Sequence, residues 1–256
     1  LTPYYQDDAC TVYYGDSREI VPQLPRGDIV LTDPPYGITD NPWDCDWPAD
    51  AVWDLIEPCT DTWVMTAAQP FSSRMVVAHL DWYKHEWIWQ KDQGSNFANT
   101  DYAPMREHEQ VLVFARGRLT YNRQFEPRRG SGADRIRYPV IANPGTENVK
   151  GGMEGPYTCK PDELRVPSSI QPWGNEKGLH PNQKPARMLL YLVRTYTDTG
   201  HTIIDPFMGS GTTLFAAKQL GRKAIGIDKD ERHCETTANR LRQEVLPLQF
   251  APEDKP

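Results

Sequence analysis

Thr202-Ile203-Ile204-Asp205-Pro206-Phe207-Met208-Gly209-Ser210-Gly211-Thr212-Thr213 is the stretch that decides the fold. Its apolar start predicts a buried strand over 202–204 that ends in Asp205, and the residues from 212 to 220 predict a helix. The glycines between them allow a ligand to come close to the backbone. The helix start adds free N–H groups at the positive end of the helix dipole. No Lys follows Gly211, so this is not a Walker A loop. The next predicted strand, 224–227, ends in Asp228, an acid placed to accept hydrogen bonds from both hydroxyls of a ribose. Together these features predict an open α/β sheet with a site for an adenosine compound that bears a carboxylate or phosphate. A glycine-rich turn followed by a helix-capping acid is the plainer alternative.

A second strand delivers chemistry to the same kind of edge. Asp28-Ile29-Val30-Leu31 is too short and too apolar for a helix and predicts a buried parallel strand, followed by Thr32-Asp33-Pro34-Pro35-Tyr36-Gly37. Each proline fixes its own φ, lacks an N–H and holds the preceding residue extended. The loop is therefore stiff, rich in acceptors (the Asp33 carboxylate and main-chain carbonyls) and poor in donors. Such a loop suits a flat substrate with N–H groups, for which Tyr36 offers a face; the exocyclic amino group of a nucleobase meets both conditions. Asp-Pro-Pro is also a common way to leave a strand, and it is the downstream glycine motif that favours the functional reading.

Outward from these two motifs the chain alternates strands and helices. Residues 11–14 predict a strand closed by Gly15-Asp16, and 17–24 a helix. Residues 38–47 predict a loop exposing Trp43 and Trp47. A helix over 49–59, a strand over 62–66 and a helix over 72–80 follow. Residues 86–90 and 110–114 predict an antiparallel strand pair at a sheet edge, with 91–109 as a mobile loop. Periodicity fails from 115 to 178. It returns in a strongly amphipathic helix over 185–196, with Met188, Leu189, Leu192 and Val193 on one stripe, and in a last helix over 231–245. The expected organisation is a catalytic half (1–114), an irregular insertion (115–178), a cofactor-binding half of the same domain (179–246) and a disordered polar tail (247–256).

Composition narrows the class. The chain has 256 residues, enough for one large α/β domain with an insertion. No apolar run reaches the roughly 18–20 residues of a membrane span, and no signal peptide is recognisable, so a cytoplasmic protein is expected. The 5 cysteines include no Cys-x-x-Cys pair, which speaks against zinc and against a disulfide framework. Net charge is −7, but it is unevenly spread. Residues 1–61 hold 13 acids against Arg18 and Arg26, whereas residues 116–137 hold seven arginines against Glu126 and Asp134. A concentrated basic segment on an acidic body predicts contact with a polyanion, and Arg123, Arg128, Arg129, Arg135 and Arg137 are its candidate contacts.

The chain resembles the amino-group DNA methyltransferases, in the β-type order that puts the catalytic motif before the cofactor motif. The likeness rests on Gly15-Asp16-Ser17, Asp33-Pro34-Pro35-Tyr36, His180-Pro181-Asn182-Gln183-Lys184-Pro185 and the 205–213 stretch, in the family's order. His108-Glu109 before the 111–114 run adds to it. The resemblance implies a Rossmann-like fold with a seven-stranded, mostly parallel sheet and an antiparallel last hairpin. It implies S-adenosylmethionine as cofactor, with Asp205, Gly209 and Gly211 along its amino-acid half, Asp228 at its ribose, and Phe207, Ser210 and Thr212 as further cofactor contacts. Asp16 and Ser17 would lie by the adenine, and Gln183 and Lys184 near the carboxylate end. Asp33, Pro34, Pro35 and Tyr36 would form the catalytic loop.

The implied substrate is a base flipped out of double-stranded DNA. Asp at the first motif position goes mainly with adenine N6 and Ser with cytosine N4, so Asp33 favours adenine, with N4-cytosine as the alternative. Methylation of an RNA base or a protein amide is a further alternative, but those relatives more often carry Asn at the first motif position, and the motif order here is that of the DNA enzymes. A catalytically inactive DNA-binding relative is the last alternative, and both reactive motifs are intact. The insertion corresponds to the family's target-recognition region. A prokaryotic or phage-infected cell, an optional cognate restriction enzyme, a monomer or homodimer, and no membrane or metal complete the expectation.

Overall fold

The computed structural model describes residues 1–37, 44, 47–95, 100–127, 164–174 and 183–243. The chain divides into two compact units, Leu1–Asn122 with Ser169–Pro256, and Arg123–Ser168. The first unit is built on a sheet whose strands alternate with helices. In chain order these are β1 (Tyr5–Gln6), β2 (Cys10–Tyr14), α1 (Ser17–Ile20), β3 (Ile29–Thr32), α2 (Ala49–Ile56), β4 (Thr62–Ala67), α3 (Phe71–Ala78), β5 (Tyr83–Ser95) and β6 (Arg106–Ala115). After the second unit, with β7 (Glu126–Pro127) and β8 (Leu164–Arg165), come β9 (Ile170–Gln171), α4 (Ala186–Tyr196), β10 (Thr202–Asp205), α5 (Thr212–Gln219), β11 (Lys223–Asp228) and α6 (Glu231–Arg242). Among the described residues no helix is long and apolar enough to cross a membrane.

The sheet order is β1-β2-β11-β10-β3-β4-β6-β5-β9. Strands β2, β11, β10, β3 and β4 are mutually parallel, and β6 pairs antiparallel with both β4 and β5. These are the expected seven strands, with the two-residue strands β1 and β9 added at the edges. The period of two along each strand sorts side chains onto two cores. Ile29, Leu31, Val64, Val111, Val113 and Ile203 face α4, α5 and α6, whereas Val30, Trp63, Met65, Leu112, Phe114 and Ile204 face α1, α2 and α3. Fully burying one such side chain stabilises the fold by about 1.5–3 kcal/mol, so the sandwich holds the sheet edge rigid around any site built on it.

Topology then locates the site. The connection from β3 to β4 moves outward in one direction, with α2 on one face. The connection from β10 to β11 moves in the other, with α5 on the opposite face. The strand order therefore switches between β10 and β3, and a crevice opens there at the carboxyl ends of the parallel strands. Asp33 and Asp205 stand on either side of it, and Asp228 and Asp16 follow the neighbouring strands.

Four local differences from the sequence reading have physical reasons. The stretch 91–109, expected as a mobile loop, is largely hairpin: β5 runs to Ser95 and β6 begins at Arg106, and these two residues pair. Its outer end is solvated on both faces, so main-chain pairing holds it without any apolar alternation for the sequence to show. The helices expected over 17–24 and 49–59 tighten into 3-10 turns at Val21–Gln23 and Glu57–Cys59, where Pro22 and Pro58 deny the helix a donor. Trp47, expected to be exposed, is 6% exposed and meets the Phe207 ring edge-on at 4.8 Å. The irregular stretch 115–178 is shared between units, because Asn122 bonds to α4 through the Thr195 carbonyl and Ile170–Gln171 joins β5. The polar tail, Trp43, and Arg128, Arg129, Arg135 and Arg137 lie outside the described residues. In the second unit Arg123 is exposed, with its guanidinium 5.8 Å above the Phe125 ring, and β7 pairs antiparallel with β8.

Candidate active site

One cavity of 730 Å³ occupies the crevice. Of the residues singled out in the sequence, Asp16, Ser17, Asp33, Pro35, Gln183, Lys184, Asp205, Phe207, Gly209, Ser210, Thr212 and Asp228 line it. Pro34, Tyr36 and Gly211 are not among its lining residues, although Pro34 and Tyr36 flank Pro35, which is. Gly211 serves the fold instead: it has φ +71° at the start of α5, and a Cβ there would lie 2.9 Å from the Cβ of Thr237 on α6. Gly209 also has a positive φ, +51°, but a Cβ there would meet nothing within 4 Å. The first glycine gives a ligand room, and the second lets two helices meet.

The 205–212 turn is held from three directions. Thr32 at the end of β3 donates to Asp205 Oδ1 at 2.7 Å, and the Phe207 amide donates to the same oxygen at 3.2 Å. Ser17 donates to the Pro206 carbonyl at 2.5 Å, which couples the loop after β2 to this turn. The Gly209 amide donates to Asp228 Oδ2 at 3.0 Å. The other Asp228 oxygen accepts from the Asp230 amide at 2.8 Å and faces His233 Nδ1 at 3.1 Å. A carboxylate offers about four acceptor positions, so Asp228 is fixed in orientation with capacity to spare. Asp16 caps α1 by accepting from the Arg18 amide at 2.9 Å, and the Arg18 guanidinium beside it holds its carboxyl below the usual range.

Asp205 differs electrostatically from its neighbours. Burial pushes its carboxyl up to about 6, against the lowering effect of hydrogen bonds from Thr32, Thr213 and the Phe207 amide, and the charge of Asp33 adds to the rise. A cation entering the cavity would relieve this cost.

Around Asp33 the sequence reading anticipated the carboxylate but not its company. Oδ1 accepts from the Tyr36 hydroxyl at 2.7 Å and from the Thr66 hydroxyl at the end of β4. Oδ2 pairs with Lys184 Nζ at 2.9 Å, and the same ammonium lies 3.2 Å from Glu109 Oε2 on β6. Burial alone would depress the Lys184 ammonium, but Asp33 and Glu109 outweigh it and raise its pKa. Asp44, 2% exposed, accepts from the Tyr36 and Gly37 amides at 2.7 and 2.8 Å and so fixes the turn after the prolines. The Tyr36 ring lies 5.5 Å from Phe71 at a 32° tilt. Asp33 keeps a third of its surface and one acceptor position open toward the cavity.

Thr66 was within reach of the sequence, because the carboxyl end of a strand parallel to β3 must lie beside Asp33. Asp44 was not, since only loop closure brings it in; Glu109 carried part of the family pattern, but only antiparallel pairing places it beside Lys184 and Asp33. Trp47, Lys229 and His233 also line the cavity and carried no motif to mark them.

Comparison with known proteins agrees with this geometry. The sequence pattern of the N6_N4_Mtase family, described as DNA methylase, matches residues 28–239. The Type II methyltransferase M.HpaI of Haemophilus parainfluenzae is 25% identical over 236 residues, covering 85% of this chain and 68% of that protein. Among solved structures, the complex of M1.HpyAVI with SAM is similar with a TM-score of 0.58 at 22% identity, covering 90% of this chain and 99% of that one. The cytosine-N4-specific PvuII DNA methyltransferase is similar with a TM-score of 0.62 at 14% identity, covering 93% and 88%. With the cavity at the switch point and the pattern match spanning both of its walls, this chain belongs to the N6/N4 family of DNA methylases.

Proposed function

We propose that this chain methylates the exocyclic N6 of an adenine flipped out of duplex DNA, with S-adenosylmethionine as donor. The observation that carries the reading is the placement of Asp33, with an acceptor position open, in the same cavity as the glycine turn and Asp228. The residues fit the donor. Gly209 leaves space for a ligand against the backbone, Asp228 would take the ribose hydroxyls, and Asp16 and Ser17 would lie by the adenine. Phe207, Ser210, Thr212 and Gln183 would line its remaining length, and the raised Asp205 carboxyl suits a cationic ligand. Bound there, S-adenosylmethionine supplies a methyl group on a sulfonium, reactive toward an amine lone pair.

The chain's own task is to make that lone pair available. In adenine it is delocalised into the ring, so the amine is a poor nucleophile. Asp33 would accept one amino N–H, and the Pro34 carbonyl the other, which favours a pyramidal nitrogen. Positioning and fixed electrostatics supply most of the rate in such a scheme, without a covalent enzyme intermediate. An amino group inside a duplex cannot reach this crevice, so the base must leave the stack. Tyr36, oriented by its hydrogen bond to Asp33, would then offer its ring to the base, a contact worth about 1–3 kcal/mol.

Arg123, Arg128, Arg129, Arg135 and Arg137 are the proposed DNA contacts, and Type II relatives make a restriction enzyme a fitting optional partner in a bacterial cytoplasm. Asp rather than Ser at position 33 supports adenine over N4-cytosine. The test is transfer of labelled methyl from S-adenosylmethionine to unmethylated duplex DNA, RNA and protein in parallel. Label in DNA alone, abolished by Asp33→Ala with donor binding retained, is expected; label in RNA or protein, or a tenth or more of the rate left in Asp33→Ala, would overturn the reading.

A further inference from the structure

Four charges of alternating sign run from the β5–β6 hairpin to the catalytic loop: Lys91, Glu109, Lys184 and Asp33. Glu109 Oε1 accepts from Lys91 Nζ, Glu109 Oε2 lies 3.2 Å from Lys184 Nζ, and Lys184 reaches Asp33 Oδ2 at 2.9 Å. The side chains of Lys91, Glu109 and Lys184 are 13%, 12% and 12% exposed. The Trp89 ring lies 5.0 Å from Lys91 Nζ and 5.9 Å from Lys184 Nζ, which shields the chain on that side. Buried ion pairs of this kind add little net stability compared with apolar packing, so stability is a weak reason for them to be there.

We propose that Glu109 and Lys184 are positioning residues for methyl transfer, Lys184 fixing the Asp33 carboxylate as an acceptor and Glu109 cancelling the lysine's charge at the reacting nitrogen. The inference rests on the function proposed above. When an amine is methylated, its lone pair forms the N–C bond as the S–C bond breaks and the sulfur keeps that bond's electrons. The nitrogen carries positive charge until it gives one proton to water. An unbalanced ammonium beside Asp33 would oppose that charge, in a site where low polarity strengthens the effect. With Glu109 in place, the two carboxylates and two ammoniums sum to zero. Without it, one positive charge remains; without both Glu109 and Lys184, the remainder is neutral again.

Among the described residues, Tyr36 faces these charges with its ring 5.6 Å from the Lys184 ammonium, and Asp205 on β10 interacts with Asp33. The neighbouring lysines hold the Glu109 carboxyl below its ordinary value, outweighing its burial, which keeps it charged at neutral pH.

The experiment compares single-turnover methylation rates, and dissociation constants for S-adenosylmethionine and duplex DNA, across Glu109→Gln, Lys184→Met, Lys184→Arg and the double variant Glu109→Gln/Lys184→Met. Glu109→Gln is expected to slow the single turnover by about tenfold or more, with both dissociation constants within about threefold of the unaltered chain. Lys184→Arg should retain more rate than Lys184→Met, and the double variant should be no slower than the slower single variant. A Glu109→Gln rate within twofold of the unaltered chain would overturn the inference. So would losses that multiply in the double variant, or losses confined to the dissociation constants. If Glu109→Gln does not fold, Lys184→Arg is compared with Lys184→Met: a faster single turnover in Lys184→Arg with unchanged dissociation constants supports the inference, and an equal or slower one overturns it. Failure of the unaltered chain to methylate DNA would overturn the functional reading and this inference with it, whereas active unaltered chain with indifferent variants would overturn the inference alone.

Discussion

Substituting the two glycines of the cofactor turn separates ligand room from helix packing. Gly211→Ala places a Cβ at φ +71°, in the left-handed region, where an L-residue costs about 1–2 kcal/mol. The new Cβ would also lie 2.5 Å from Thr237 Oγ1 and 2.9 Å from Thr237 Cβ, both closer than real contacts, and such overpacking costs about 1–3 kcal/mol. The expected total is about 2–5 kcal/mol of stability. Thr237 also donates to the Gly209 carbonyl at 3.2 Å, so Thr237→Ala alone should cost about 1 kcal/mol. In that background part of the clash is gone, and Gly211→Ala should cost less, by about 1 kcal/mol or more of coupling. Gly209→Ala carries only the strain, about 1–2 kcal/mol, but its methyl enters the cavity, so it should weaken S-adenosylmethionine binding more than Gly211→Ala does. Urea unfolding followed by tryptophan fluorescence gives the stabilities, and titration calorimetry gives the affinities. If Gly211→Ala costs less than 1 kcal/mol, or costs the same with and without Thr237→Ala, the packing argument is refuted.

Asp228→Ala should weaken S-adenosylmethionine binding by about 1.5–3 kcal/mol, the scale of hydrogen bonds to a charged group, and unchanged calorimetric affinity would move the ribose contact elsewhere. Asp205, pushed up to about 6, is protonated in the folded chain over a pH range where the unfolded chain has already ionised it. The folded state therefore loses stability from this group as pH rises from the ordinary carboxylate range through about 6, while affinity for the cationic donor rises over the same window. Asp205→Asn should flatten both dependences, and affinity equally steep with pH in the variant would assign the effect to another group. Replacing Arg128 and Arg129 by Ala should weaken binding across all DNA sequences and reduce the salt slope by about 2, near 0.9 per lost phosphate contact. Superimposed plots of affinity against salt for the two proteins would make these arginines ordinary surface charge.

The parts of the fold legible in the sequence were those with local causes. Ile203-Ile204 and Ile29-Val30-Leu31 are buried on both faces and read as strands because nothing polar interrupts them. The stripe of Met188, Leu189, Leu192 and Val193 needed only the helical period. That Asp33, Asp205 and Asp228 share one crevice was predictable because strand ends in an open α/β sheet converge. What stayed hidden depends on long-range pairing. The outer hairpin, Ser95 opposite Arg106, has no apolar alternation to show it. Glu109 reaches Lys184 only because β6 lies between β4 and β5. Lys184 was expected near the cofactor's carboxylate end; it does line the cavity, with its ammonium drawn to Asp33 and Glu109. Trp47 read as a loop aromatic because Phe207, its partner, lies far away in the chain.

The most direct measurement is nucleoside analysis of genomic DNA from cells that express the chain and otherwise lack base methylation, beside cells expressing Asp33→Ala. N6-methyladenine in the first sample and none in the second is the predicted result. N4-methylcytosine instead would contradict the choice of base while leaving the amino-group chemistry, and unmodified DNA in both samples would contradict the assignment of methyl transfer to DNA.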